Sequence, residues 1–164
     1  LMRSTQGSIK VHGANITSYL LEKSRVVAQG PNERNYHIFY QIIKGMNDKR
    51  KESLGLRSIE QFFYLSMSGC SEIDHVDDAA EYRTLLSALK TLGFDTDLIY
   101  ELLQLVAGVL HLGNISFELT KEADGTSGSG IVGNSDKALR WVAGLVKVKA
   151  FHHFLEKKCL LSIF

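Results

Sequence analysis

Proline is nearly missing from this chain: Pro31 is the only one in 164 residues. A proline ring removes a backbone donor and clashes inside a helix, so its rarity leaves long helices uninterrupted and favours a helix-rich fold. Cysteine is scarce too. Cys70 and Cys159 are the two present, without cysteine or paired histidine neighbours at zinc spacing, and two free thiols in a reducing compartment are expected. Charge of one sign is also lacking: the formal net charge of +1 is too weak a field to gather nucleic acid or a membrane surface. No apolar run approaches the ~20 residues that cross a bilayer, and Leu1 to Thr5 show no signal-peptide pattern. The sequons Asn15-Ile16-Thr17 and Asn114-Ile115-Ser116 are therefore read as accidental. The six histidines, His12, His37, His75, His111, His152 and His153, form no HExxH-like metal pattern. Each is read as structural or solvated, with His111 at a helix end where a cation suits the dipole. Spacing yields no catalytic triad or Cys-His pair.

What is present is a globular composition, 45% apolar and 23% charged. The length suits one domain, and a chain of about 150 residues buries around two-thirds of its unfolded surface. In residues 2–11 the Gln6-Gly7 pair signals a tight hairpin, while Ile9 and Val11 alternate with Lys10 and His12 at a strand's period of two. Asn32, after Pro31, is predicted to cap the first clear helix, with Glu33 in its first turn. Tyr36, Phe39, Ile42 and Ile43 line one face of that helix and Gly45 stops it. Residues 44–57 are polar and basic and read as an exposed link. Ser58 is expected to cap a short apolar segment, 59–65, followed by a loop over 66–76.

Asp78 and Glu81 stand in capping-box register before Tyr82, Leu85, Leu86, Leu89 and Leu92, which recur at helical spacing until Gly93. Thr96 is the expected cap of the next helix. There Leu98, Ile99, Leu102, Leu103, Leu105, Val106, Val109 and Leu110 wrap most of the circumference, which predicts burial on several sides. Gly108 marks a close helix contact within it. Ile115, Phe117 and Leu119 alternate with Ser116 and Glu118 as a strand, and 120–130 reads as a loop. A helix begins at Ser135 or Asp136 and runs through Leu139, Val142 and Val146, with Trp141 beside that face; a last helical stretch covers about 150–161.

Several patterns invite sharper readings. Gly128-Ser129-Gly130-Ile131-Val132-Gly133 fits GxGxxG, but a dinucleotide site needs those glycines to lead straight from a strand into a helix, and no βαβ unit is visible. Lys44, Lys49, Arg50 and Lys51 lack the interleaved aromatics of a nucleic-acid surface and read as a solvated face. Tyr36, Phe39, Phe62 and Phe63 read as core rather than a ligand cage. Glu22, Lys23 and Arg25 read as a structural ion-pair network in preference to a catalytic set.

Four ordered blocks carry a family resemblance. LLEKSRVVAQGPNERNYHIFYQII (20–43) is the strongest; Gly13-Ala14-Asn15-Ile16 precedes it. Ser68-Gly69-Cys70 leads to Ile73-Asp74-His75-Val76-Asp77-Asp78, and Leu92-Gly93-Phe94 leads to Val109-Leu110-His111-Leu112-Gly113-Asn114-Ile115-Ser116-Phe117. Over roughly 7–160 the chain resembles the myosin motor head, from just after its switch I loop through the upper actin-facing subdomain. The resemblance implies an α+β, predominantly α-helical piece of the P-loop NTPase myosin motor fold. A hairpin and sheet-associated segment would occupy 1–27, and a helical subdomain with one further short strand 28–164. It implies an actin-based, ATP-dependent cytoskeletal motor of the cytoplasm, with ATP and Mg²⁺ as cofactors of the intact head. Actin filaments and the rest of the heavy chain would be its partners, with no nucleic acid and no membrane contact. The family's GESGAGKT phosphate loop, NxNSSRFGK switch I and DIxGFE switch II do not occur in these residues. The expectation is therefore a segment without catalytic, cofactor-binding or metal residues, inactive alone. The resemblance makes Lys121, Glu122 and Asp124 a candidate actin-facing loop and sets Glu22, Lys23 and Arg25 beside switch I as a candidate coupling network. The competing reading is a stand-alone helical protein-interaction domain without motor activity.

Overall fold

Two short antiparallel strands, β1 (Met2–Arg3) and β2 (Ile9–Lys10), pair with Met2 opposite Lys10 and Arg3 opposite Ile9. This is the pairing expected around Gln6-Gly7. The turn itself lies outside the residues that the computed structural model describes, which are 2–3, 9–10, 15, 17, 22–121 and 127–147. The stretch assigned to a last helix, about 150–161, and Cys159 also lie outside them.

A single 3-10 turn, Lys23–Val26, precedes the first helix, α1 (His37–Gly45). Asn32 does not cap it. Pro31 and Asn32 are the central residues of a β-turn closed by Glu33 N donating to Gly30 O at 3.1 Å, and Asn32 has φ 62°. Proline followed by a residue of positive φ is type II turn chemistry, and asparagine tolerates that left-handed backbone. The helix starts five residues later, and Phe39, Tyr40, Ile42 and Ile43 bury its inner face.

Residues 44–57 are not an exposed link. Asn47 accepts from Arg50 N at 3.0 Å and caps α2 (Asp48–Ser53), while Met46, Leu54 and Leu56 are buried on either side of it. Apolar anchors at both ends dock a helix that is itself polar. Next come a 3-10 turn, Ile59–Gln61, with Ser58 at its N-cap position but making no cap hydrogen bond, and α3 (Phe63–Ser66). Phe62 and Leu65 are buried there; Phe63 is exposed, against its expected place in the core.

Helix α4 (Asp78–Thr91) is capped one residue before the expected position. Asp77 accepts from Ala79 N and Ala80 N at 2.9 and 3.0 Å, which frees Asp78 for another role. A cap of this kind contributes about 1 kcal/mol. Likewise Asp95, not Thr96, accepts from Leu98 N at 2.8 Å and caps α5 (Thr96–Leu112). On α5 Ile99, Leu103, Ala107 and Leu110 are buried, but Leu98, Leu102 and Leu105 stay 48%, 40% and 49% exposed, so burial is one-sided. Leu92, after α4, is exposed as well.

The remaining strands form a second hairpin, β3 (Phe117–Lys121) and β4 (Ser127–Ile131), with Phe117 opposite Ile131 and Lys121 opposite Ser127. The sequence reading had a lone strand followed by a loop. The GxGxxG run begins inside β4, paired with β3, and its last glycine opens a 3-10 turn, so no glycine loop leads from a strand straight into a helix there. A 3-10 turn, Gly133–Ser135, then enters α6 (Asp136–Val146), which lies against α5. A Cβ at Gly108 would sit 2.8 Å from Val146 Cγ2, which is the close contact expected there. The main core joins α1, α4 and α5 with the 54–65 segment; a smaller one gathers Ile115, Ala138, Leu139 and Val142. The described residues are thus mostly helical with two small antiparallel pairs, an α+β arrangement.

Candidate functional site

The two acids of 22–34, Glu22 and Glu33, converge on Arg25. Its Nε donates to Glu22 Oε2 at 2.6 Å, and its Nη1 donates to Glu33 Oε2 at 3.0 Å and to the Arg34 carbonyl at 3.2 Å. The hydrogen bond from Glu22, and then its charge, raise the already high Arg25 pKa. Lys23 makes no ion pair among the described residues. Neutral contacts tie the same segment down. Gln29 Nε2 donates to Arg25 O at 2.6 Å, and Tyr36 Oη to Glu22 O at 2.8 Å. The buried Asn35 is a junction: its Nδ2 donates to Val26 O at 2.9 Å and to Tyr64 O at 3.0 Å, and its backbone N–H to Tyr40 Oη at 3.1 Å.

Immediately after this segment sits a charge pair that the sequence reading missed. Arg34 Nη2 donates to both carboxylate oxygens of Asp78, at 3.0 and 2.9 Å, and the two side chains are 2% and 1% exposed. The guanidinium lies 3.7 Å over the Tyr40 ring, and Lys44 Nζ approaches Asp78 Oδ2 at 3.3 Å and Glu72 Oε1 at 3.4 Å. Arg34 Nε and Nη1 have no partner among the described residues, so the pair is incompletely compensated for its loss of water. The only sequence signal was the doubled Asp77-Asp78, of which one caps and the other turns inward. Together these contacts run without a break from Glu22 through Arg25 and Arg34 to the first residue of α4.

A second polar junction surrounds His111, which is buried and not a helix-end cation. Burial lowers its pKa, so the ring is neutral near pH 7, with Nε2–H donating to Leu54 O at 2.9 Å. The ring stacks on Trp141 at 5.5 Å and meets the edge of Phe62 at 5.4 Å. Gly55, with φ 64°, lets Trp141 lie across the backbone, since a Cβ there would be 2.4 Å from Trp141 Cε2. Asn114 bridges Gln61 O (2.7 Å) and Phe63 N (2.8 Å) with its carboxamide, a structural use of the sequon residue.

Lys121 is exposed at the end of β3; Glu122 and Asp124 lie outside the described residues. Phe117 and Leu119, on the same face of β3 as Lys121, are 51% and 88% exposed. Among the described residues no group of three or more His, Cys, Asp or Glu is placed to hold a metal ion, and no helix is long and apolar enough to cross a membrane.

Comparison with known proteins places this geometry in context. The model of the myosin head (motor domain) matches residues 4–160. Myosin-2B of Naumovozyma castellii is 44% identical over 109 residues, covering 66% of this chain and 8% of that protein. Myosin ID heavy chain of Dictyostelium discoideum is 46% identical over 106 residues, 65% of this chain and 10% of its own length. Myosin-1 of Laccaria bicolor is 46% identical over 106 residues, 65% of this chain and 8% of its own length. The chain thus spans a tenth or less of each of these relatives. With the family model matching nearly end to end, the chain belongs to the myosin head (motor domain) family.

Proposed function

We propose that this chain is a helical scaffold segment of an actin-based, ATP-driven cytoplasmic motor head, and that it performs no chemistry by itself. In this reading ATP and Mg²⁺ are handled by other parts of the heavy chain, within the P-loop NTPase fold of the intact head. Phosphoryl transfer is catalysed by positioning and by charge neutralisation around the γ-phosphate, which needs a phosphate loop, a lysine and a magnesium-holding hydroxyl. Those motifs are absent from the 164 residues.

The observation that carries the reading is the unbroken polar chain from Glu22 to α4. A displacement of the segment preceding Glu22 acts on Arg25, and through the Arg34 carbonyl and side chain on Asp78. The buried pair has few alternative partners, so α4 moves with the segment rather than slipping past it. Glu22, Lys23 and Arg25 serve as the coupling network, Arg25 being its centre. Lys121, with Glu122 and Asp124, is the actin-facing loop, and actin filaments and the remaining heavy chain are the partners.

The test is Arg25→Ala in a motor head that contains this segment. Basal Mg-ATPase should change little while activation by actin falls several-fold. Actin activation equal to that of the unaltered head would overturn the coupling role.

A further inference from the structure

Away from the ion-pair chain, the described residues form an open cleft of about 320 Å³ between the 55–62 segment, the end of α5 and the first two turns of α6. Arg57, Lys137 and His111 line it together with the rings of Phe62 and Trp141 and the Asn114 carboxamide. No carboxylate does. Neither Arg57 nor Lys137 has an ion-pair partner among the described residues. Both line the same cleft as the His111 ring. The adjoining groove shares Gly55, Arg57 and Trp141 but is also lined by Asp48 and Glu52, so the separation of sign is particular to this cleft.

The aromatic wall is fixed. Trp141 is held by its stack on His111 and by Gly55, and the fully buried Phe62 meets His111 edge-on behind it. A volume near the bottom of the ~300–1,000 Å³ range of ligand pockets suits a single ring. Unpaired cations in the same cleft as a half-buried indole suit an anion that brings its own apolar body, because the anion meets charge-assisted donors while its ring covers apolar wall. We propose that this cleft is a binding site for a small aryl anion, with Arg57 and Lys137 on its phosphate or carboxylate and the half-buried Trp141 against its ring.

Trp141 is the only tryptophan of the chain, so its emission reports this cleft alone. Phenyl phosphate titrated into the 164-residue chain should change that emission saturably below about 10 mM, and should raise the melting temperature in step. Inorganic phosphate and benzyl alcohol, which each lack half of the ligand, should bind about tenfold more weakly. Arg57→Gln and Lys137→Gln, both at exposed positions, should each weaken phenyl phosphate about five- to tenfold, and Arg57→Lys should recover most of the loss. Asp48→Asn in the adjoining groove should leave it unchanged. The proposal is overturned by the lack of any saturable response, by a response indifferent to both charge-removing substitutions, or by inorganic phosphate binding as well as phenyl phosphate.

Discussion

Removing the carboxylate of Asp78 tests the centre of the polar chain. Asp78→Ala leaves the Arg34 guanidinium buried with three nitrogens unpartnered, since among the described residues Nε and Nη1 already lack partners and Nη2 has only Asp78. Breaking a buried pair from one side costs ~3–5 kcal/mol. In a domain of this size each kcal/mol shifts the melting temperature by ~2–4 °C, so a fall of about 6–20 °C is expected. The reverse change is milder. In Arg34→Met the carboxylate keeps Lys44 at 3.3 Å, a partner that is itself partly exposed, and the cost should sit at or below the ~3 kcal/mol end of that range. Removing both charges, Arg34→Met with Asp78→Ala, relieves the uncompensated nitrogens and should return stability to within about 2 kcal/mol of the parent. Urea unfolding followed by circular dichroism, read as a double-mutant cycle, measures all three. The reasoning is refuted if the double variant is as unstable as the sum of the singles, or if Asp78→Ala is as mild as loss of the exposed Lys51–Asp48 pair.

Three further outcomes follow from the packing. His111 has a lowered pKa in the fold, so the unfolded chain binds the extra proton first. Stability contributed by the neutral ring is complete above the ordinary value of about 6.5 and declines as pH falls below it, and His111→Gln should flatten that decline in urea midpoints measured down to about pH 5. Gly108→Ala should lower stability by about 1 kcal/mol or more despite the better helix propensity of alanine, because Val146 is stiff at χ1 and cannot yield easily; Val146→Ala in the same chain should recover the loss. Asp95→Ala, which removes the α5 cap, should cost about 1 kcal/mol and raise amide exchange at Leu98 ahead of the rest of the helix.

The helices were legible because burial along them is periodic, and the family blocks were legible because they are long and ordered. Cap positions were misread by one residue at both α4 and α5. Asp77 and Asp78, like Asp95 and Thr96, are neighbouring residues that can each cap, and local pattern does not say which one the tertiary fold turns inward. Strand β4 left no trace, since its serines and glycines have no strand preference of their own; pairing with β3 makes it a strand. The apolar circumference of α5 was overread, because Leu98, Leu102 and Leu105 show that hydrophobicity does not by itself settle burial. The Arg34–Asp78 pair joins positions 44 residues apart, and a single buried ion pair has no periodic signature.

Steady-state Mg-ATP turnover by the purified 164-residue chain, with and without actin filaments, bears most directly on the scaffold role. The account predicts phosphate release no faster than from buffer in both conditions, while the longer head carrying the same residues turns over and is stimulated by actin. Filament-stimulated turnover by the 164 residues alone would contradict it.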